Sequence, residues 1–230
     1  MFAVEPLTDN CRRILDQGEH VLIGVSPRNS YFTEARITEL LRWSAKSFRL
    51  IDVVIPDFAE VETWLALGYP DTKAHRKTRS KAAHIRNRVI RAGDAAAVPA
   101  SRLRVLLLSD LAARPDYQSA LRRCEETVAQ DAVLREMCLR PARHALRCHL
   151  NGSEPTPAQV DRAMRYIIAE MPLMLDVPGM LDVDHSTLIY HQRLEFIDWI
   201  FFGNTSLRMS ERQAYVVVRP TETGEAQGRK

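Results

Sequence analysis

Apolar residues along the chain fall into two kinds of pattern. Short runs of mostly branched residues recur at Val21-Leu22-Ile23-Gly24-Val25, Val53-Val54-Ile55, Val105-Leu106-Leu107-Leu108, Thr187-Leu188-Ile189-Tyr190 and Tyr215-Val216-Val217-Val218. They hardly alternate with polar positions, as strands buried on both faces should not. Between them the period lengthens. Ile37, Leu40, Leu41, Ser44 and Phe48 form one stripe on a helix of about four turns. Thr156-Pro157-Ala158-Gln159 combines an N-cap Thr, a first-turn Pro and a Gln three residues after the cap. The helix it opens carries Val160, Met164, Ile167 and Ile168 on its apolar side and is predicted to end near Met171, before Pro172. Strands alternating with helices predict an α/β fold, with a mainly parallel sheet and right-handed crossovers. No internal repeat is present. Gly93–Ser101 reads as a loop, and Thr221–Lys230 as a frayed tail beyond a single domain spanning 1–220.

Composition narrows the class. The 230 residues are 46% hydrophobic and 27% charged, which excludes wholesale disorder and fits one globular domain. No stretch approaches 18 consecutive apolar residues, so no membrane helix is expected. The N-terminus lacks the basic cluster and apolar core of a secretory signal, which points to the cytoplasm. The cysteines at 11, 124, 138 and 148 form no Cys-x-x-Cys pair, so they are expected as buried thiols rather than zinc ligands or a redox dithiol. Neither a metal nor a cofactor is expected.

Net charge is only +3, but its distribution is uneven. Eight of the 32 Lys and Arg lie between Lys73 and Arg91, with no acid among them; the remainder is net acidic. On a helix, Lys73, Arg76, Lys77, Lys81, Arg88 and Arg91 fall within an arc of about 140°. Ala74, Ala82, Ile85 and Val89 form the adjoining packing face. A solvated helix would mix in Glu for i,i+4 pairs, so this face is either an unusual surface or a site for a polyanion such as nucleic acid.

Two further segments could carry chemistry. Ser26 follows the first strand run, at the sheet edge where open α/β folds bind ligands, with Gly24 leaving room beside it. A plain turn serine is the simpler reading. Arg28 stands where a hydrolase elbow needs its second glycine, and no phosphate-binding loop follows. In Tyr166-Ile167-Ile168-Ala169-Glu170-Met171-Pro172, Tyr166 and Glu170 share a helix face. Glu170 falls in the predicted last turn, where the helix dipole disfavours an anion. It is either a tolerated surface Glu or a carboxylate placed to receive a positive group.

Together these segments resemble the cyclodipeptide synthases. His20-Val21-Leu22-Ile23-Gly24-Val25-Ser26 matches that family's His-x-aliphatic-aliphatic-Gly-aliphatic-Ser pattern, and Tyr166 to Pro172 matches its Tyr-aliphatic-x-x-Glu-x-Pro pattern. Asn29 and the pair Tyr190-His191 resemble the marks of its Asn-Tyr-His subgroup. The likeness runs in order from Gly18 to Pro220.

The resemblance implies a monomeric Rossmann-like domain similar to the catalytic domain of class I aminoacyl-tRNA synthetases. It implies an enzyme that makes a 2,5-diketopiperazine from two aminoacyl-tRNAs, with no metal, and whose product goes to tailoring enzymes. Ser26 would be the nucleophile, Tyr166 and Glu170 would hold the substrate amino group, and Tyr190 would assist cyclisation with Asn29 in support. The first side chain, hydrophobic by this likeness (Leu, Phe, Met or Tyr), would lie among Leu22, Gly24, Val54, Leu108, Leu173 and Leu188, with His191 also at the site. The basic helix would dock the first tRNA. The base that deprotonates Ser26 and the second aminoacyl pocket are not assigned. An α/β serine hydrolase or a non-catalytic RNA-binding module of Rossmann type are the alternatives; both leave part of this pattern unused.

Overall fold

The computed structural model describes residues 2–27 and 29–221, so Arg28 and most of the expected tail lie outside the described residues. The chain opens with β1 (Phe2–Pro6), α1 (Asp9–Gln17), β2 (His20–Gly24), α2 (Glu34–Ser47), β3 (Leu50–Ile55), α3 (Val61–Ala66), α4 (Asp71–Ala95) and β4 (Leu103–Leu107). It continues with α5 (Leu108–Ala112), α6 (Pro115–Gln130), α7 (Ala132–His149), α8 (Pro157–Leu175), α9 (Val177–Leu181), β5 (Ser186–Tyr190), α10 (Glu195–Phe201) and β6 (Gln213–Pro220).

The six strands among the described residues share one sheet, in the order β1-β6-β5-β2-β3-β4. Five of them are parallel, and β1 pairs antiparallel with β6 from Phe2 opposite Pro220 to Pro6 opposite Val216. From β2 the chain steps outward through β3 to β4, then returns to the other side of β2 as β5 and β6. The order therefore reverses between β2 and β5. In open α/β sheets the ligand crevice forms beyond the carboxyl ends at such a point. Ser26 and Tyr190 lie there.

Two cores cover the sheet. Val21, Ile23 and Val53 pack with Ile37 and Leu41 of α2 and Ile85 and Val89 of α4 on one face. Leu22, Val54, Leu188 and Tyr215 pack on the other face with the group that includes Cys138 of α7 and Met164 and Ile168 of α8. Strand side chains alternate between faces, so His20, Leu22, Gly24 and, just past the strand, Ser26 all address the α7/α8 side. The foot of this row is pinned: buried His20 meets Ser186 Oγ at 2.8 Å and Asp52 Oδ2 at 3.0 Å. Arg104 closes the cluster with two hydrogen bonds to Asp52, at 2.7 and 2.6 Å.

Four expectations need correction. Helix α8 does not stop before Pro172 but continues to Leu175. Pro172 forgoes one hydrogen bond, yet Met171, Leu173 and Leu175 beyond Ile168 are buried, and that packing carries the helix through. Helix α4 runs past Gly93 to Ala95, so the loop begins later than expected. A Cβ on Gly93 would meet Leu103 Cδ2 at 2.7 Å, so the glycine there permits close packing of helix on strand rather than a turn. Leu108 opens α5 instead of ending β4. Finally, Cys11, Cys124 and Cys138 are buried but Cys148 is exposed. No helix among the described residues is long and apolar enough to cross a membrane.

Candidate active site

The alternation of β2 places Gly24 below Ser26 on the side facing α8. A Cβ at Gly24 would meet nothing within 4 Å, so its missing side chain leaves open space. That space is a cavity of about 150 Å³ whose walls include Gly24, Val54, Leu173 and Leu188, with Ser26, Tyr166, Glu170 and Tyr190 also on its lining. Leu22 and Leu108, expected in the wall, are instead fully buried in the core. Pro141 of α7, Ile167 and Met174 of α8, Leu194 and Phe196 around α10, and Tyr215 of β6 complete the apolar lining. Apart from Ile167, the aliphatic position of the second motif, these residues carry no motif and come from distant elements, so only the fold brings them together.

Helix α8 presents Tyr166 and Glu170 on one face, one turn apart, as their spacing requires. The Tyr166 hydroxyl stands 3.0 Å from Glu170 Oε1 and 3.4 Å from Ser26 Oγ. Glu170 is not an exposed last-turn residue: the helix continues beyond it, and the residue is only partly accessible. Burial raises its carboxyl to about 7, against which the Tyr166 hydrogen bond acts. A near-neutral acid at the edge of an apolar cavity is a suitable partner for a group that must be bound as an ammonium and used as an amine.

At the end of β5, Tyr190 reaches the same serine. Burial and the neighbouring Glu170 carboxylate raise its phenol, opposed by hydrogen bonds with Asn29 and Ser26. Asn29 Nδ2 lies 3.5 Å from the Tyr190 hydroxyl and 2.8 Å from His191 Nε2, and Asn29 Oδ1 accepts from the Tyr31 amide at 2.9 Å. His191 stacks on Tyr31 with ring centroids 4.2 Å apart. Burial, with Arg219 adding to it, lowers its basicity. Among the described residues the side chains that hydrogen-bond Ser26 are the phenols of Tyr166 and Tyr190, not an imidazole. A serine hydrolase triad is therefore not assembled here.

His191 does not line the apolar cavity but a second, more open one of about 450 Å³, which it shares with Ser26. Asn29, Ser30, Pro141, His144, Ala145, Cys148, His149 and Gln192 also line this space. Its lining carries more polar side chains than that of the first cavity, and Ser26 sits at the junction.

The six expected cations do lie along α4, but they are not alike. Lys73 and Arg76 are exposed, and Lys77 and Lys81 are half-buried. Arg88 donates to the Phe32 carbonyl at 2.8 Å, and Arg91 pairs with Glu34 of α2 at 2.7 Å. The expectation of a face without a counter-ion thus fails at the C-terminal end, because the acid comes from a different helix. Among the described residues no three His, Cys, Asp or Glu side chains gather as a metal site.

A Rossmann-like sheet thus holds a serine at its switch point, between an apolar cavity and a half-buried carboxylate. The cyclodipeptide synthase family model matches residues 2–220. The chain is 34% identical to the cyclo(L-leucyl-L-phenylalanyl) synthase of Streptomyces noursei, covering 96% of this chain and 93% of that one. It is 32% identical to the cyclo(L-leucyl-L-leucyl) synthase of Photorhabdus laumondii, over 94% of this chain and 95% of that one. A solved Mycobacterium tuberculosis structure, described as relating cyclodipeptide synthetases to type I tRNA synthetases, superposes with a TM-score of 0.82 at 30% identity, covering 96% and 94% of the two chains. The synthase of Candidatus Glomeribacter gigasporarum, solved bound to Phe-tRNA, shares the fold with a TM-score of 0.58 at 13% identity, over 91% of both. The chain belongs to the cyclodipeptide synthase family.

Proposed function

We propose that this enzyme condenses two aminoacyl-tRNAs into a 2,5-diketopiperazine, with Ser26 as nucleophile and a hydrophobic residue, leucine or phenylalanine first, as the aminoacyl group loaded on it. The observation that carries the reading is the Glu170–Tyr166–Ser26 chain at the junction of an apolar and a polar cavity. Ser26 Oγ attacks the ester carbonyl of the first aminoacyl-tRNA, and the tRNA leaves with its 3′-terminal ribose hydroxyl restored. The aminoacyl side chain occupies the cavity over Gly24, and its ammonium lies against Glu170 and Tyr166. At about 150 Å³ that cavity matches the size of an apolar protein cavity that takes up benzene, which suits a side chain such as Leu or Phe.

Glu170, with its carboxyl at about 7, accepts the ammonium proton, so the amine can attack the ester of the second aminoacyl-tRNA. That step forms a peptide bond, releases the second tRNA and leaves a dipeptidyl-Ser26. The new terminal amine then attacks the serine ester. This closes the six-membered ring and frees Ser26, with Tyr190 positioned to hydrogen-bond the departing oxygen. Aminoacyl esters are already activated, so no nucleotide is consumed.

The polar cavity receives the ribose and terminal base of each donor in turn. The exposed Lys73 and Arg76 and half-buried Lys77 and Lys81 dock the tRNA. Asn29, Tyr190 and His191 support assignment to the Asn-Tyr-His subgroup. The catalytic unit is a single domain over 1–220, acting as a cytoplasmic monomer and passing its product to tailoring enzymes. The test is incubation with leucyl- and phenylalanyl-tRNA and detection of cyclic dipeptides by mass. Ser26→Ala should yield neither product nor an aminoacyl-protein adduct; an adduct on that variant would remove Ser26 from the mechanism.

A further inference from the structure

Beside α4 lies a row of rings that the reaction above does not use. Trp64 of α3 meets Tyr69, which precedes α4, at a centroid distance of 5.4 Å, and meets His149, the last residue of α7, at 5.6 Å. Lys77 lies over both Trp64 and Tyr69, at 4.5 and 5.0 Å. Lys73 lies over Tyr69 and Lys81 over Trp64, each at 5.1 Å. Trp64 is buried, Tyr69 half-buried and His149 exposed. The row begins on the basic side of α4 and ends in the wall of the polar cavity, which His149 lines together with Ser26.

A surface that only neutralised phosphates would need the cations but not the rings. Rings interleaved with cations suit a single strand instead, whose unpaired bases stack on aromatic faces while ammonium groups follow its backbone. The 3′ end of a tRNA is such a strand, and it must cross from α4 to Ser26 to deliver its ester. We infer that His149 and Tyr69, braced by the buried Trp64, form the stacking surface for the unpaired 3′-terminal bases of the aminoacyl-tRNA that docks along α4. The inference rests on the tRNA-docking role proposed for α4. A base arriving on the half-buried Tyr69 displaces an ammonium from the ring face, and its stacking matches or exceeds the cation contact it replaces. The freed lysine then faces the phosphate that follows the base.

The probes are one uncharged tRNA, intact or trimmed of its last three nucleotides, titrated against wild type and variants. His149→Ala should weaken binding of the intact tRNA by about 5- to 150-fold, the range for one lost base stack, and leave the trimmed tRNA unaffected. His149→Phe should keep most of the intact affinity, and Tyr69→Leu should act like His149→Ala. None of these changes should alter the slope of log affinity against log salt, because no phosphate contact is removed. Equal losses on intact and trimmed tRNA, or a Phe variant as weak as the Ala variant, would overturn the stacking role. The double reversal of Lys73 and Arg76 to Glu separates the two levels. If it leaves binding unchanged, the docking role of α4 falls and the stacking surface with it. If it weakens binding while His149→Ala and Tyr69→Leu do not, the stacking surface alone fails.

Discussion

The single phenolic hydrogen of Tyr166 can serve only one acceptor, and Glu170 Oε1, at 3.0 Å, is nearer than Ser26 Oγ, at 3.4 Å. Tyr166 therefore donates to Glu170 and leaves its oxygen lone pairs toward Ser26, whose own hydroxyl becomes the donor. Carboxylate, phenol and serine form a directed chain, and the state of Glu170 sets its polarity.

Glu170→Gln should lower the rate of ring formation by about 10- to 150-fold, the equivalent of the roughly 1.5–3 kcal/mol of a charge-assisted hydrogen bond. In the wild type, kcat/KM should fall as pH drops below about 7, where the carboxyl of the free enzyme takes up its proton. The Gln variant should lose that limb. Stability moves the other way. A folded pKa raised from 4.5 to about 7 means a contribution fully present at acid pH and lost as pH rises through 7. Gln, which never ionises, should then be the more stable form at pH 8, by at most about 3 kcal/mol. Urea titrations at pH 5 and 8 check the sign, and a gap that widens at pH 5 would contradict it.

Gly24→Ala should fold normally, because a Cβ there points into open space. It should also shrink the aminoacyl cavity and shift the loaded residue away from leucine or phenylalanine toward smaller side chains. About 10- to 200-fold in relative kcat/KM is the range for one methylene in an apolar pocket. Competition between leucyl- and valyl-tRNA, read as the masses of the cyclic products, measures the shift.

Reversal of Lys73 and Arg76 to Glu should weaken tRNA binding with little change in Tm, since both side chains are exposed. If Lys73, Arg76, Lys77 and Lys81 each meet a phosphate, wild-type log affinity should fall with log salt at a slope of about −3 to −3.5, and the double variant should lose about half of it. Arg91→Glu should behave differently. It sets an acid against Glu34 in place of the present ion pair, so it should cost stability. Thermal melts of the two variants side by side distinguish them.

His20→Ala should be destabilising by about 3–5 kcal/mol, as expected when one partner of a buried charged cluster is removed. Burial pushes the Asp52 carboxyl up, but hydrogen bonds from His20 and Arg104 together outweigh it and hold the group below the usual carboxylate range. The depressed pKa adds stability that is present above the unfolded value and lost as pH falls through the folded one. Acid unfolding should accordingly come at higher pH in His20→Ala than in the wild type, as circular dichroism would show.

Five of the six strands were legible because the parallel sheet is buried on both faces and writes unbroken apolar runs. The missing one, β1, is a five-residue edge strand that alternates half-buried and exposed positions and contains Glu5 and Pro6. Its pairing with β6 is specified by the other end of the chain. Local periodicity made legible the strand end that carries Ser26 and the helix face that carries Tyr166 and Glu170, whereas the roles expected of them rest on the two family motifs. Leu22 could not be kept out of the cavity wall the same way. Period two puts it on the correct face of the sheet, but which depth along the strand opens into the cavity is decided by α8 and α10. Likewise no local signal near Arg91 announces Glu34, which lies 57 residues away.

The alternation along β2 has an evolutionary corollary. Anchor, filler, gap and nucleophile occupy every second position from His20 to Ser26, so deleting or inserting one residue anywhere between them would not shift the serine slightly. It would turn one end of the segment over, sending either Ser26 or His20 into the opposite core. Val21, Ile23 and Val25, buried in the opposite core, can exchange among aliphatic residues, but the segment cannot change in length. Beyond the strand the constraint is of another kind, since Asn29 and its partners are held by side-chain hydrogen bonds rather than by the pleat.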